Sequence, residues 1–94
     1  MNIFQRLVVY PPSWEVTDKR ALSQVEKEHF EEATVVSSEF GLSVCFAMKS
    51  GGYGYIPLST ESSAGVGDTL DKEEIVILTL ERVGNDPIYR VDTK

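Results

Sequence analysis

From Gly41 to Ser50 the chain reads GLSVCFAMKS, with Leu42, Val44, Phe46 and Met48 on one side of an alternation and Ser43, Cys45, Ala47 and Lys49 on the other. A period of two belongs to a half-buried β-strand. Gly51 and Gly52 supply the positive φ of a two-residue hairpin turn, and YGYIPLS returns as the partner strand. On it Tyr53 and Tyr55 share one face, Ile56 and Leu58 lie on the other, and Pro57 implies an edge position or a bulge. Further on, EIVILTLERV gathers Ile75, Val76, Ile77, Leu78 and Leu80 into one run, which predicts burial on both faces or sharp coiling. Gly84, Asn85, Asp86 and Pro87 form the next turn, before a short closing strand at IYRV. TVVSSEF, β-branched and serine-rich, adds a fifth strand if Gly41 marks a bend.

Ahead of these strands the pattern turns helical. Ser23 with Glu26 matches the capping box, in which each side chain satisfies the other's free backbone N–H; Thr17 with Asp18 is an alternative, earlier start. A helix of about two to four turns sets Leu22, Val25, Phe30 and Ala33 toward the sheet. Glu31 and Glu32 oppose its dipole and weaken its last turn. The run from Leu7 to Tyr10 suits a strand or an extended arm, ended by Pro11 and Pro12. The expected organisation is one mainly β domain with one short helix: arm or strand 1–16, helix 17–33 and barrel 34–94. Because five short antiparallel strands would leave exposed edges in an open sheet, a small closed barrel is predicted, OB-like, with an SH3-like barrel as the alternative.

A length of 94 residues, 41% of them hydrophobic and 26% charged, allows one modest core and one domain. No stretch approaches the roughly 18 apolar residues of a membrane helix, and NIFQRLVVY is too short and wrongly flanked for a signal peptide. A cytoplasmic protein without a membrane partner is therefore expected. The single cysteine, Cys45, forms no intrachain disulfide and fits a reducing compartment. A net charge of −6 repels polyanions at long range. The acid is unevenly spread, however: it concentrates in 21–39 and 61–81, while Phe40 to Thr60 holds no Asp or Glu at all.

Most chemistry is excluded by what accompanies each candidate residue. KSGGYGYIPLS is no P-loop, because no lysine follows the glycines and strand residues follow instead of a helix. His29 is the only histidine, which rules out histidine triads and two-histidine metal sites within one chain. Cys45 lacks an activating base and reads as a small strand filler. DTLDKEE lacks the ligand pattern and central glycine of a calcium loop, and reads as a solvated acidic segment that keeps IVILTL from aggregating. With no paired nucleophile and base, and no ligand cluster, a non-enzyme without cofactor or metal is expected.

One feature points to binding. Phe40, Phe46, Tyr53 and Tyr55 fall in a region whose only charge is Lys49. Outward aromatic rings on a barrel stack unpaired bases, so Phe46, Tyr53 and Tyr55 are candidate stacking residues, with Lys49, Arg82 and Arg90 as phosphate contacts. The string from TVVSSEF through YGYIPLS, then GVGDTLDKEEIVILTLERV to IYRV, resembles small OB-fold, single-strand-binding-like proteins of bacteriophages and mobile elements. The resemblance covers about the C-terminal two thirds of the chain. It implies non-catalytic binding of single-stranded nucleic acid. The predicted helix departs from that plan, preceding the barrel instead of joining its third and fourth strands. The competing expectation is an acidic protein-interaction or assembly module, such as a phage accessory protein or an inhibitor, that meets a basic partner or forms a homo-oligomer through its acidic loop or the edge strand at Pro57.

Overall fold

The structure, a computed structural model, describes residues 16–39, 41–83 and 86–94, and the side chains of these except 81–83, 86 and 87. Residues 1–15 of the expected arm, Phe40, and residues 84 and 85 of the expected turn lie outside them. Among the described residues, six strands are present: Val16–Ala21 (β1), Phe30–Ser38 (β2), Gly41–Met48 (β3), Tyr53–Pro57 (β4), Ile75–Val83 (β5) and Asp86–Thr93 (β6). One helix, Gln24–Glu28 (α1), joins β1 to β2, and a 3-10 turn at Lys72–Glu74 precedes β5. No helix among the described residues is long and apolar enough to cross a membrane.

The mainly β architecture with one short helix is as predicted, but the strands form two three-stranded antiparallel sheets, ordered β1-β5-β6 and β2-β3-β4, and do not close into a barrel. The sheets touch where β4 runs out: Leu58 bridges Val91 in parallel, and the Ser59 N–H donates to the Val91 carbonyl at 2.7 Å. Closure on the other side is blocked because β1 occupies the remaining edge of β5, pairing from Val16 opposite Leu80 to Ala21 opposite Val76.

Residues 17–33 are mostly not helical. VTDKRA is an exposed edge strand, and the helix begins where the capping box predicts: Ser23 Oγ accepts from the Glu26 N–H at 3.2 Å, and Glu26 Oε1 accepts from the Ser23 N–H at 2.9 Å. It ends at Glu28 because Phe30 is drawn into the core as the first residue of β2, opposite Met48. Tertiary burial of that ring overrides the helical preference of Glu31 and Glu32. Leu22 is buried as expected, whereas Val25 faces solvent.

Glu26 has a second partner, Arg20 at the end of β1, in a bidentate pair of 2.7 and 3.0 Å. Its hydrogen bonds from Arg20 are the main cause holding the Glu26 carboxyl down at about 2, against the opposing effect of burial and with help from Ser23. A depressed carboxyl contributes stability above its unfolded value and loses it as pH falls toward the folded one. The stabilisation from this pair is therefore present above about pH 4.5 and disappears toward pH 2. The Arg20 side chain is 38% exposed, so solvent screening limits the amount to about 1 kcal/mol. Glu26→Gln, which keeps the capping box, should lower the urea midpoint at pH 7 and converge with wild type near pH 2.

The core lies between the inner faces of the sheets. Phe30, Ala33, Val35, Val44, Phe46, Ile56 and Leu58 meet Ile75, Ile77 and Val91, with Leu22 at one end. Phe30 and Phe46 pack edge to face, their ring centroids 4.8 Å apart. On the second face of β5, Val76, Leu78 and Leu80 are buried as well, as the unbroken apolar run predicts. The loop after β4 folds back along β2: the Val35 N–H donates to the Asp68 carbonyl, the Gly67 N–H to that of Val35, and the Leu70 N–H to that of Ala33. Gly67 makes this bend at φ 92, a conformation open to glycine. That edge of the second sheet is thereby covered.

Candidate nucleic-acid interface

The hairpin of β3 and β4 holds the predicted tyrosines. Their turn spans four residues, Lys49 to Gly52, longer than the two-glycine turn expected, with Gly51 and Gly52 both at positive φ. Register places Cys45 opposite Tyr55 and Ala47 opposite Tyr53, and these pairs face away from the core that Val44, Phe46 and Ile56 enter. Tyr53 is 68% exposed and Tyr55 38%. Beside them across the sheet come Thr34, level with Cys45, and Glu32, level with Ala47. The face is thus two outward phenols on a floor of small residues, with the exposed carboxylates of Glu31 and Glu32 at the far strand; Glu32 accepts from the Thr69 hydroxyl at 3.4 Å.

The Tyr55 hydroxyl is raised above its ordinary value, first by hydrogen bonding to the Cys45 thiol and by its charge, with burial and Tyr53 adding less. It stays a neutral phenol, able to donate as well as accept. The Cys45 contribution was not foreseen, although the alternation of β3 already put Cys45 on the tyrosine face.

The other nominated residues are dispersed. Phe46 is fully buried against Phe30, so neither face of its ring is available to a base, and its nomination as a stacking residue is corrected. Its place in the apolar register of β3 is the reason. Lys49 opens the turn two residues beyond Ala47, exposed, with its N–H donating to the His29 carbonyl at 2.9 Å. It lines a shallow depression with Glu28, His29, Met48 and Ser50. Arg90 lies opposite Leu78 on the outer face of the other sheet. There it lines a cavity of about 230 Å³ with Val16, Ser59, Thr60, Glu61, Leu78 and Leu80, none of them aromatic. The Arg82 side chain lies outside the described residues. Tyr53, Tyr55 and Lys49 are therefore the exposed nominated residues that one hairpin brings together. Among the described residues, no cluster of His, Cys, Asp and Glu is arranged to hold a metal ion. Comparison of the chain with protein-family models, with curated proteins and with solved structures yields no match.

Proposed function

We propose that the protein is a non-catalytic, OB-like module that binds single-stranded nucleic acid on the outer face of β3 and β4. The observation that carries this reading is the outward pair Tyr53 and Tyr55, side by side on a hairpin whose strands β3 and β4 carry no charge. Strand order supports it. Taken as the five strands of a partly open OB barrel, β2, β3 and β4 form the opening meander, β4 meets β6 in parallel, and β6 lies beside β5. β3 and β4 then stand in the second and third positions, whose outer face is where OB folds hold oligonucleotides.

Energetics set the scale. Two stacked bases at about 1–3 kcal/mol each give about 2–6 kcal/mol, a dissociation constant between tens of micromolar and tens of millimolar. Lys49 is the cation on this hairpin, so affinity should fall only gently with salt, unlike that of proteins which neutralise many phosphates. Titration of a labelled single-stranded oligonucleotide, followed by fluorescence anisotropy, is expected to saturate in that range. Tyr55→Ala should weaken binding about tenfold. Wild-type protein that causes no rise in anisotropy across that concentration range, or Tyr55→Ala protein that binds as well as wild type, rules the reading out.

A second reading, an interaction or assembly module, is favoured by one separate observation: among the described residues, none pairs with the outer backbone edge of β4 beside the same tyrosines.

A further inference from the structure

Hydrogen bonding along the β3–β4 ladder determines which way each backbone group of β4 points. The Met48 N–H donates to the Gly52 carbonyl and the Leu58 N–H to that of Leu42. With Val44 opposite Ile56 and Phe46 opposite Gly54, the bonded positions of this strand are the even ones. Tyr53, Tyr55 and Pro57 consequently turn their backbone groups away from β3. Beyond them Ser59 follows the same alternation and gives its N–H to Val91 in β6. Among the described residues, no strand or loop takes up the N–H and C=O groups of Tyr53 and Tyr55.

Such an edge is a template for another strand, and proteins usually blunt it with charge, proline or a covering segment. The opposite edge of this sheet, at β2, is covered by the loop through Gly67 and Leu70. β4 has no charged residue, and its one protective feature is Pro57 at its end.

We propose that two copies of this chain pair antiparallel through their β4 edges, about a two-fold axis at Gly54, joining the sheets into one. Tyr53 then stands opposite Tyr55 of the second copy, and each such pair exchanges both of its N–H···O bonds. The groups left over in one copy match those left over in the other in number and spacing. Pro57, lacking an N–H, ends the ladder where β4 turns toward β6. Charge favours a second copy as the occupant: at −6 each, two molecules repel, yet Phe40 to Thr60 contains no carboxylate, so this stretch brings them together with the least opposition. Because the axis stands perpendicular to the sheet, the tyrosines of both copies stay on one face. The pairing rests on the backbone edge and does not depend on nucleic-acid binding.

Sedimentation equilibrium on the full chain, without nucleic acid, tests it. A mass rising with concentration from 10.5 kDa toward twice that value is expected. Tyr55→Pro removes an outward N–H without touching the bonds to β3, and symmetry loses that bond twice, so dimer affinity should weaken about a hundredfold. Tyr55→Phe, which keeps the backbone and the ring, should dimerise like wild type, and circular dichroism confirms that both variants are folded. A wild-type chain that remains at 10.5 kDa at millimolar concentration overturns the proposal, as does a dimer that folded Tyr55→Pro leaves intact. A chain that stays monomeric yet captures an extended peptide at this edge also overturns it.

Discussion

Phe46→Ala is expected to remove about 3–5 kcal/mol of folding stability, the range for deleting a fully buried phenylalanine. Domains of this kind hold about 5–15 kcal/mol in all, so the variant should approach its threshold of folding at room temperature. The cost has two parts. The ring leaves a cavity where both sheets meet, and Phe30 loses the edge-to-face partner whose centroid lies 4.8 Å away. Urea unfolding measured by circular dichroism checks the loss. Wild-type stability in Phe46→Ala would mean that the ring does not fill the core.

Lys72→Met is expected to be the next most damaging change, at about 2–3 kcal/mol, although it alters a residue in the acidic loop. The Lys72 ammonium donates to the Lys27 carbonyl at 2.8 Å and to the Phe30 carbonyl at 2.6 Å, and sits 4.6 Å from the centroid of the Phe30 ring. It thus ties the end of α1, where carbonyls are short of donors and the helix dipole is negative, to the start of β2. Methionine retains the packing of the stem and removes only the charge and the bonds. The same unfolding experiment applies; a midpoint within error of wild type would show the contact to be idle.

These residues show what the sequence made legible. Alternation along GLSVCFAMKS and YGYIPLS identified β3, β4 and the outward tyrosines, because one face of that hairpin is buried and the other is not. The same parity put Phe46 with Val44 on the apolar side, so its burial followed from the pattern and its role as a stacking residue did not. Likewise Arg90 alternates with the inward Val91, which sends it to the outer face of the other sheet. β1 escaped notice because VTDKRA is exposed and charged, with no period to betray a strand whose partner lies far along the chain. Ser23 and Glu26 located the start of α1 correctly, since a cap is a local interaction. Its end depended on Phe30 reaching Phe46, which is not local. Lys72 gave no signal, since what it binds is main-chain carbonyl, the same for any side chain.

The pairing of β1 with β5 brings Thr17 to the Thr79 carbonyl, across 62 residues of chain. On a ribosome, β2, β3 and β4 emerge and can associate with one another while β5 is still enclosed in the exit tunnel. At about 5–20 residues per second, β1 waits on the order of several seconds for its neighbour. Asp18, Lys19 and Arg20 make it soluble and unattractive to other nascent strands during that interval.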